Sequence, residues 1–236
     1  MARRYFANPL PPAGPATLSP SLGHHLGRVV RTGKGDAVVL FDGKGQEVHA
    51  TVLEVRGRDV IVEVGAPLAR LLGQSPRMAL DVACALPKKP RTDWLLEHGT
   101  EVGIRSFRPI LTERTNRQHE QHARWERVLI AACAQCDRSI LPTIEPTVTL
   151  AELCAMPQPQ ARYLATIADT ELGPASTDTV LLVVGPEGGL TEREITLLTD
   201  AGFAPRSLGP LTLRTETAVL AGATRLLQMP GNASRE

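Results

Sequence analysis

No stretch of this sequence approaches the ~18–20 uninterrupted apolar residues that a membrane-spanning helix requires. A secretory leader is not expected either. Arg3 and Arg4 are followed by Tyr5 and Phe6, and Pro9, Pro11, Pro12 and Pro15 then break the continuous apolar core that a signal peptide needs. The chain is therefore expected in the cytoplasm. Charge of one sign is lacking: 26 Lys plus Arg stand against 25 Asp plus Glu, a net charge of +1, which excludes a protein that coats polyanions indiscriminately. Glycine (20) and proline (19) are not in excess, so collagen-like and low-complexity classes are excluded too.

Cysteine is sparse, with Cys84, Cys133, Cys136 and Cys154 only. In a cytoplasmic chain of this length a disulfide framework is not expected. Cys133 and Cys136 have CxxC spacing, which suits zinc or thioredoxin-like chemistry. No second pair follows, and Trp125, Val128, Leu129 and Ala132 carry helical spacing through the segment. The reading is small thiols inside a helix, with no metal. The pairs His24/His25 and His119/His122 lack the acidic context of a metal motif and read as surface residues.

What is present is an ordinary globular composition, 42% apolar and 22% charged over 236 residues, enough for one or two domains with real cores. Ser21–Arg31 places Leu22, Leu26, Val29 and Val30 on one helical face. Short β-type runs follow over Asp36–Asp42, Glu47–Val55 and Val60–Val64, the middle one alternating Val48, Ala50 and Val52 with His49, Thr51 and Leu53. Such runs, split by Gly-containing turns, predict a small antiparallel barrel or sandwich. A boundary falls near Gly73–Pro76. Beyond it the period changes: strands over Met78–Leu86, Phe107–Leu111, Leu164–Ile167, Val180–Val184 and Ser207–Leu208 alternate with helices. Those are a helix capped by Thr92 with Trp94, Leu95 and Val102 inward, then Ala123–Cys136, Thr191–Ala201 and Thr217–Gln228. This alternation predicts a parallel α/β sheet. The expected domains are residues 1–73 and 76–236, with net charges of +3 for residues 1–74 and −2 for 75–236.

Two junctions carry unusual residues. Leu181–Val184 runs into Gly185-Pro186-Glu187-Gly188-Gly189-Leu190 and then Thr191, whose partner Glu194 completes a capping box. The carboxyl end of such a strand is where an open α/β sheet binds ligands. The run is neither GxGxxG nor GxxxxGK[ST], and Glu187 would repel a phosphate, so a cation or a ligand held by backbone groups fits better. A structural turn is the alternative, at about even weight on local pattern. The second junction is Leu208-Gly209-Pro210-Leu211-Thr212-Leu213-Arg214-Thr215-Glu216-Thr217-Ala218. There Arg214 and Glu216 either serve a site or form a surface ion pair.

Together these junctions resemble the C-terminal signature of the bacterial 16S ribosomal RNA uridine N3-methyltransferases, members of the SPOUT superfamily. Arg4-Tyr5-Phe6, His25 through Arg31, and Lys88 with Arg91 and Thr100–Ile104 resemble further family elements. So do Trp125-Glu126-Arg127 with Ala132, Gln135 and Arg138. His98, Val102 and Cys136 depart from the usual Lys, Leu and Ser. The resemblance implies a SPOUT-type parallel sheet with a C-terminal trefoil knot, preceded by a small PUA-like β-barrel that binds RNA. It implies S-adenosylmethionine as cofactor, 16S ribosomal RNA in the small subunit as partner, and a homodimer. Cofactor contacts are expected at Thr166, Ile167, Gly185, Pro186, Glu187, Gly188, Gly189, Leu208, Gly209, Leu213, Thr215, Thr217 and Ala218. Arg214 and Glu216 are the candidates for chemistry. RNA contacts are expected at Arg3, Arg4, Arg28, Arg31, Lys88, Arg91 and Arg138, drawn from basic clusters that also include Lys34, Lys89, Arg114, Arg117, Arg124 and Arg127. The alternatives are another SPOUT enzyme, such as a transfer-RNA 2′-O-ribose methyltransferase, and a non-enzymatic RNA-binding dimer.

Overall fold

The computed structural model describes residues 2–24, 26, 32–56, 59–68, 78–115, 121–175 and 177–227. The chain divides into two compact units, Met1–Gln74 with Ile130–Leu141, and Ser75–Leu129 with Pro142–Glu236. The expected linker Gly73–Pro76 lies outside the described residues.

In the first unit, β1 (Arg3–Phe6), β2 (Gly14–Thr17), β3 (Ala37–Phe41), β4 (Glu47–Arg56) and β5 (Asp59–Leu68) form one sheet in the order β1-β3-β4-β5-β2. A single sheet is present among the described residues, and not the pair of a sandwich. β3, β4 and β5 are an antiparallel meander because Gly43 and Gly45, both at positive φ, turn the chain between β3 and β4. Asp42 Oδ1 accepts from the Lys44 and Gln46 amides at 2.7 and 3.0 Å and fixes that turn. The alternation in β4 is realised: Val48, Ala50 and Val52 are buried while His49, Thr51 and Leu53 are exposed. With Leu40, Val60, Val62 and Leu26 they form one core, each buried side chain contributing roughly 1.5–3 kcal/mol. Of the helix expected over Ser21–Arg31, the structure describes α1 (Pro20–His24); Arg28 and Arg31 lie outside the described residues.

The second unit holds β6 (Ala79–Cys84), β7 (Ser106–Leu111), β8 (Thr143–Ile144), β10 (Ala161–Ala165), β11 (Thr179–Val184) and β12 (Ala204–Arg206) in the order β12-β10-β11-β6-β7-β8, with β9 (Val148–Thr149) on β7. Every pairing is parallel. β11 is buried from Val180 to Val184, the pattern of a strand covered on both faces. The helices of this unit are α2 (Arg91–Val102), α4 (Leu150–Ala155), α5 (Glu192–Asp200) and α6 (Thr215–Leu227), while α3 (His122–Gln135) belongs to it up to Leu129 and to the first unit from Ile130. α6 packs on α2, β6 and β11, and α4 packs on α5. Gly222 permits the close seat of α6, since a Cβ there would lie 2.6 Å from Leu182 Cδ2. Chain order leaves β6 toward β7 and β8 and returns on the other side through β10 and β11. The strand order therefore reverses between β6 and β11, where the loops after the two strands diverge.

Several local expectations shift. The short strand after α5 is Ala204–Arg206 rather than Ser207–Leu208, and β10 ends at Ala165, leaving Thr166 and Ile167 beyond it. Thr92 does not cap α2: the cap is Pro90, and the Thr92 hydroxyl donates to the Pro87 carbonyl instead. Leu95 and Leu96 carry the inward face of α2, whereas Trp94 is 43% exposed against His98. The two-residue strands β8 and β9 and the short α4 carry too few residues for a period to be read.

Candidate active site

Four loops meet the carboxyl edge of the second unit's sheet. The first leaves β11. Gly185 has no room for a side chain, because a Cβ would lie 2.9 Å from Leu190 Cγ. Gly189, at φ +72, donates to the Pro186 carbonyl at 2.8 Å and closes the turn. α5 then starts on the expected capping box: the Glu194 amide donates to Thr191 Oγ1, and the Thr191 amide donates to Glu194 Oε2 at 2.8 Å. Glu194 is 6% exposed because its other oxygen accepts from the Glu113 amide at 2.7 Å, in the loop that follows β7. From the same loop Arg114 donates to the Gly188 carbonyl. The glycine loop is thus held by β7's loop as well as by its own helix.

The second loop joins β12 to α6. Gly209 (φ +126) has open space where a Cβ would sit, and the Ser207 hydroxyl accepts from its amide at 3.1 Å. The Arg214 carbonyl accepts the first bond of α6, from Ala218, and the buried Thr215 hydroxyl donates to the Gly185 carbonyl at 3.1 Å. That bond ties the two unusual junctions together.

The third loop leaves β6 and delivers Lys88 and Lys89, both exposed, and then Arg91. Arg91 Nη1 lies 2.5 Å from Glu187 Oε1 and 3.7 Å from Glu216 Oε2. The fourth is the end of β10, where the Thr166 amide donates to the Arg206 carbonyl at 3.0 Å and Ile167 is 99% exposed.

Glu216 is the unusual group. Its side chain is 7% exposed and its Oε2 has no hydrogen-bond partner, only the longer contact with Arg91. The first turn of α6 favours a carboxylate there. Arg214 stands at the same helix end, where a cation gains nothing from the dipole; it is exposed and without a side-chain partner among the described residues. The surface ion pair between Arg214 and Glu216 does not form. The structure thus brings Thr166, Ile167, Gly185–Gly189, Leu208, Gly209, Leu213, Thr215 and Ala218 to one edge of the sheet; Thr217 is on the exposed side of α6.

The residues expected at RNA scatter. Arg3 and Lys88 are exposed. Arg4 is the clearest correction: its side chain is 7% exposed. Its nitrogens face Glu47 Oε2 at 3.0 Å, Ser139 Oγ at 2.7 Å and Asp137 Oδ1 at 3.5 Å. The guanidinium also lies 5.2 Å from the centre of the Phe41 ring. A charge so enclosed has no face to offer a phosphate. Arg138 is half-buried, and burial lowers the proton affinity of its guanidinium. Arg91 belongs to the crevice between the β6 and β11 loops. The signal that could have found it is its position two residues after Lys89, at the carboxyl end of a parallel strand. Cys133 is buried within α3 and Cys136 follows its last residue; burial pushes the Cys133 thiol up to about 12, so its thiolate is disfavoured.

Residues 74–227 match the RNA methyltransferase domain family, and residues 18–65 match the RNA methyltransferase PUA domain family. Ribosomal RNA small subunit methyltransferase E of Synechocystis sp. is 32% identical over 215 residues, covering 86% of this chain and 69% of that protein. The protein of the same name from Mycobacterium bovis is 30% identical over 256 residues, covering 99% and 95%. The crystal structure of ribosomal RNA small subunit methyltransferase E from Neisseria gonorrhoeae bound to S-adenosylmethionine is 27% identical, with a TM-score of 0.86 over 94% of this chain and 95% of that one. A putative methyltransferase from Legionella pneumophila, also solved with its bound cofactor S-adenosylmethionine, is 27% identical with a TM-score of 0.85 over 95% and 96%. With the RNA methyltransferase domain matched over more than half its length, and with relatives of that name 30–32% identical over 86–99% of it, the chain belongs to the ribosomal RNA small subunit methyltransferase E family.

Proposed function

We propose that this chain is an S-adenosylmethionine-dependent RNA methyltransferase that methylates N3 of one uridine in the 16S ribosomal RNA of the small subunit. One observation carries the reading: the glycine loop after β11 and the first turn of α6 are locked together at the point of strand reversal. The lock consists of the Thr215–Gly185 hydrogen bond and the two contacts of Arg91. The crevice suits the cofactor by its chemistry. It presents open backbone at Gly209, an exposed apolar side chain at Ile167, and the carboxylates of Glu187 and Glu216. Those carboxylates disfavour a phosphate-bearing nucleotide and favour a ligand with a positive centre. The solved relatives that hold S-adenosylmethionine support the same assignment.

When bound, S-adenosylmethionine supplies a methyl group on a sulfonium. The chain's own work is to orient the base and manage a proton. Uracil N3 is protonated near neutral pH, so that proton must leave and the charge spreading onto the uracil oxygens must be neutralised. Arg214, exposed and unpartnered, is the group for that charge. Glu216, whose enclosed Oε2 has no hydrogen-bond partner, is the group for the proton. Lys88, Lys89 and Arg3 supply phosphate contacts.

The trefoil knot belongs to this reading, with Gly185–Leu190 and Leu208–Ala218 as its loops, as does a homodimer acting on the small subunit in the cytoplasm. So does the division of labour between a β domain of residues 1–73 that docks RNA and a catalytic domain of residues 76–236. Its support is the PUA match over residues 18–65 and the positive balance of the N-terminal part. The test is to incubate the protein with methylation-deficient small subunits and labelled S-adenosylmethionine, and to map the product by mass spectrometry. Label on N3 of a single uridine is expected. Label on a ribose 2′-oxygen, or none, would overturn the reading.

A further inference from the structure

We infer that Arg91 is a positioning residue of the cofactor crevice, a cationic strut between the glycine loop and α6, and not a contact to RNA phosphate. Glu187 is on the β11 loop and Glu216 on α6, and neither carboxylate has another cation among its ion pairs in the described residues. Arg91 comes from a third element, the first residue of α2, and reaches both. Two carboxylates at one crevice repel each other; a single guanidinium between them offsets that repulsion and sets their separation. The strut is only a third exposed (34%), and Glu216 behind it is nearly enclosed. A phosphate approaching Arg91 would have to displace Glu187 and would meet Glu216. Lys88 and Lys89, three and two residues earlier, are exposed with no side-chain partner among the described residues, and they are free to make the phosphate contact instead.

The geometry also assigns different weights to the two contacts. Glu187 is 43% exposed and would remain hydrated without Arg91, whereas Glu216 would be left as an enclosed carboxylate with no counter-ion. Loss of Arg91 should therefore loosen the start of α6 more than the glycine loop, which Arg114 and Glu194 hold independently. Lys carries one compact ammonium and cannot face two carboxylates as a planar guanidinium does, so Arg91→Lys should restore the function only in part.

The inference rests on the cofactor reading, and the experiment separates the two. Arg91→Met, Arg91→Lys and wild type are compared in three measurements: amide hydrogen exchange without ligand, S-adenosylmethionine affinity by calorimetry, and the salt dependence of binding to small-subunit RNA. The expected result for Arg91→Met is faster exchange over residues 218–221, the first hydrogen-bonded amides of α6, with unchanged exchange in β6 and β11. It should come with cofactor affinity weaker by about tenfold, between the loss of an exposed pair and that of a buried one, and with an unchanged salt slope. Arg91→Lys should fall between. A flatter salt slope with unchanged exchange and cofactor affinity would overturn the strut and make Arg91 an RNA contact. If wild type binds no S-adenosylmethionine the cofactor reading fails, and the exchange data still decide whether Arg91 braces α6.

Discussion

Arg4 and Arg91 look alike in the sequence, each a basic residue in a basic cluster, and each is found between two carboxylates. The first unit encloses Arg4 among Glu47, Asp137 and Ser139, and the Ser139 hydroxyl in turn donates to Glu47 at 2.6 Å. The second unit leaves Arg91 partly open, in front of a Glu216 oxygen that no hydrogen bond reaches. The Arg4 network closes on itself through Ser139 and Glu47, and its one unmet atom, Arg4 Nε, is buried with only the 3.5 Å ion pair to Asp137. The Arg91 contacts differ in place and exposure: they lie at the carboxyl end of a parallel sheet, with the Arg91 side chain 34% exposed against 7% for Arg4. The difference between these two arginines is one of surroundings, an enclosed network in one unit and a partly open crevice in the other. Neither is legible from residue type.

The comparison breaks first at Arg4. Arg4→Met should cost about 3–5 kcal/mol, because it strands the buried Glu47 without its cation. Adding Glu47→Leu should recover part of that loss, since an apolar pair of similar volume tolerates the site. Hydrogen exchange of the β3 and β4 amides measures both. A loss below about 1 kcal/mol, the range of an exposed pair, would show that the enclosure of Arg4 is not what holds the segment over residues 130–141 to β1 and β4.

On the open side, Arg214→Ala should lower turnover by ~10²–10³-fold, the loss seen when one group neutralising developing charge is removed. Affinity for S-adenosylmethionine should change little, because the Arg214 side chain makes no hydrogen bond or ion pair among the described residues. Equal losses in turnover and cofactor affinity would place Arg214 on the cofactor and leave the uracil charge without an assigned group. A smaller effect is expected at Lys88 and Lys89. Replacing both by Ala should reduce the slope of log affinity against log salt by about 1–2 units, one counter-ion for each phosphate that the lysines no longer neutralise. An unchanged slope would move the RNA surface away from this edge of the sheet.

Much of the second unit was legible because its elements carry strong local signals. The Leu181–Val184 run is apolar on both faces since β11 is covered on both, and Thr191 with Glu194 marks the start of α5 by hydrogen bonds three residues apart. The two junction loops were legible for the same reason: glycines and charges interrupt apolar runs. What escaped was set by distant partners. Residues 130–135 are the end of α3, yet with the turn that follows to Leu141 they belong with the first unit, where Leu141 packs against Gly43 and Ser139 binds Arg4. Nothing near Arg4 or Arg91 in the sequence says which carboxylates will face them. Trp94 read as inward because it is large and apolar, but Leu95 and Leu96 take the inward positions.

The comparison extends to the exposed extreme at α4, where the smallest effect is expected. Thr149 and Glu152 form a capping box like that of Thr191 and Glu194, with the Thr149 amide donating to Glu152 Oε2 at 2.7 Å. Glu194 also serves Glu113 and is enclosed, whereas among the described residues the hydrogen bonds of Glu152 are all with Thr149 and are open to solvent. The backbone and side-chain hydrogen bonds from Thr149 hold the Glu152 carboxyl below the usual carboxylate range. A depressed value means that the folded state prefers the ionised form. Its contribution is therefore present above the unfolded value and fades as pH falls through the folded one. Glu152→Gln should remove that part of the acid dependence, so the gap in melting temperature between variant and wild type should narrow from pH 6 to pH 3. Thermal melts across that range check it. A gap that stays constant with pH would mean that the box acts through hydrogen bonds whose strength does not depend on the charge of Glu152.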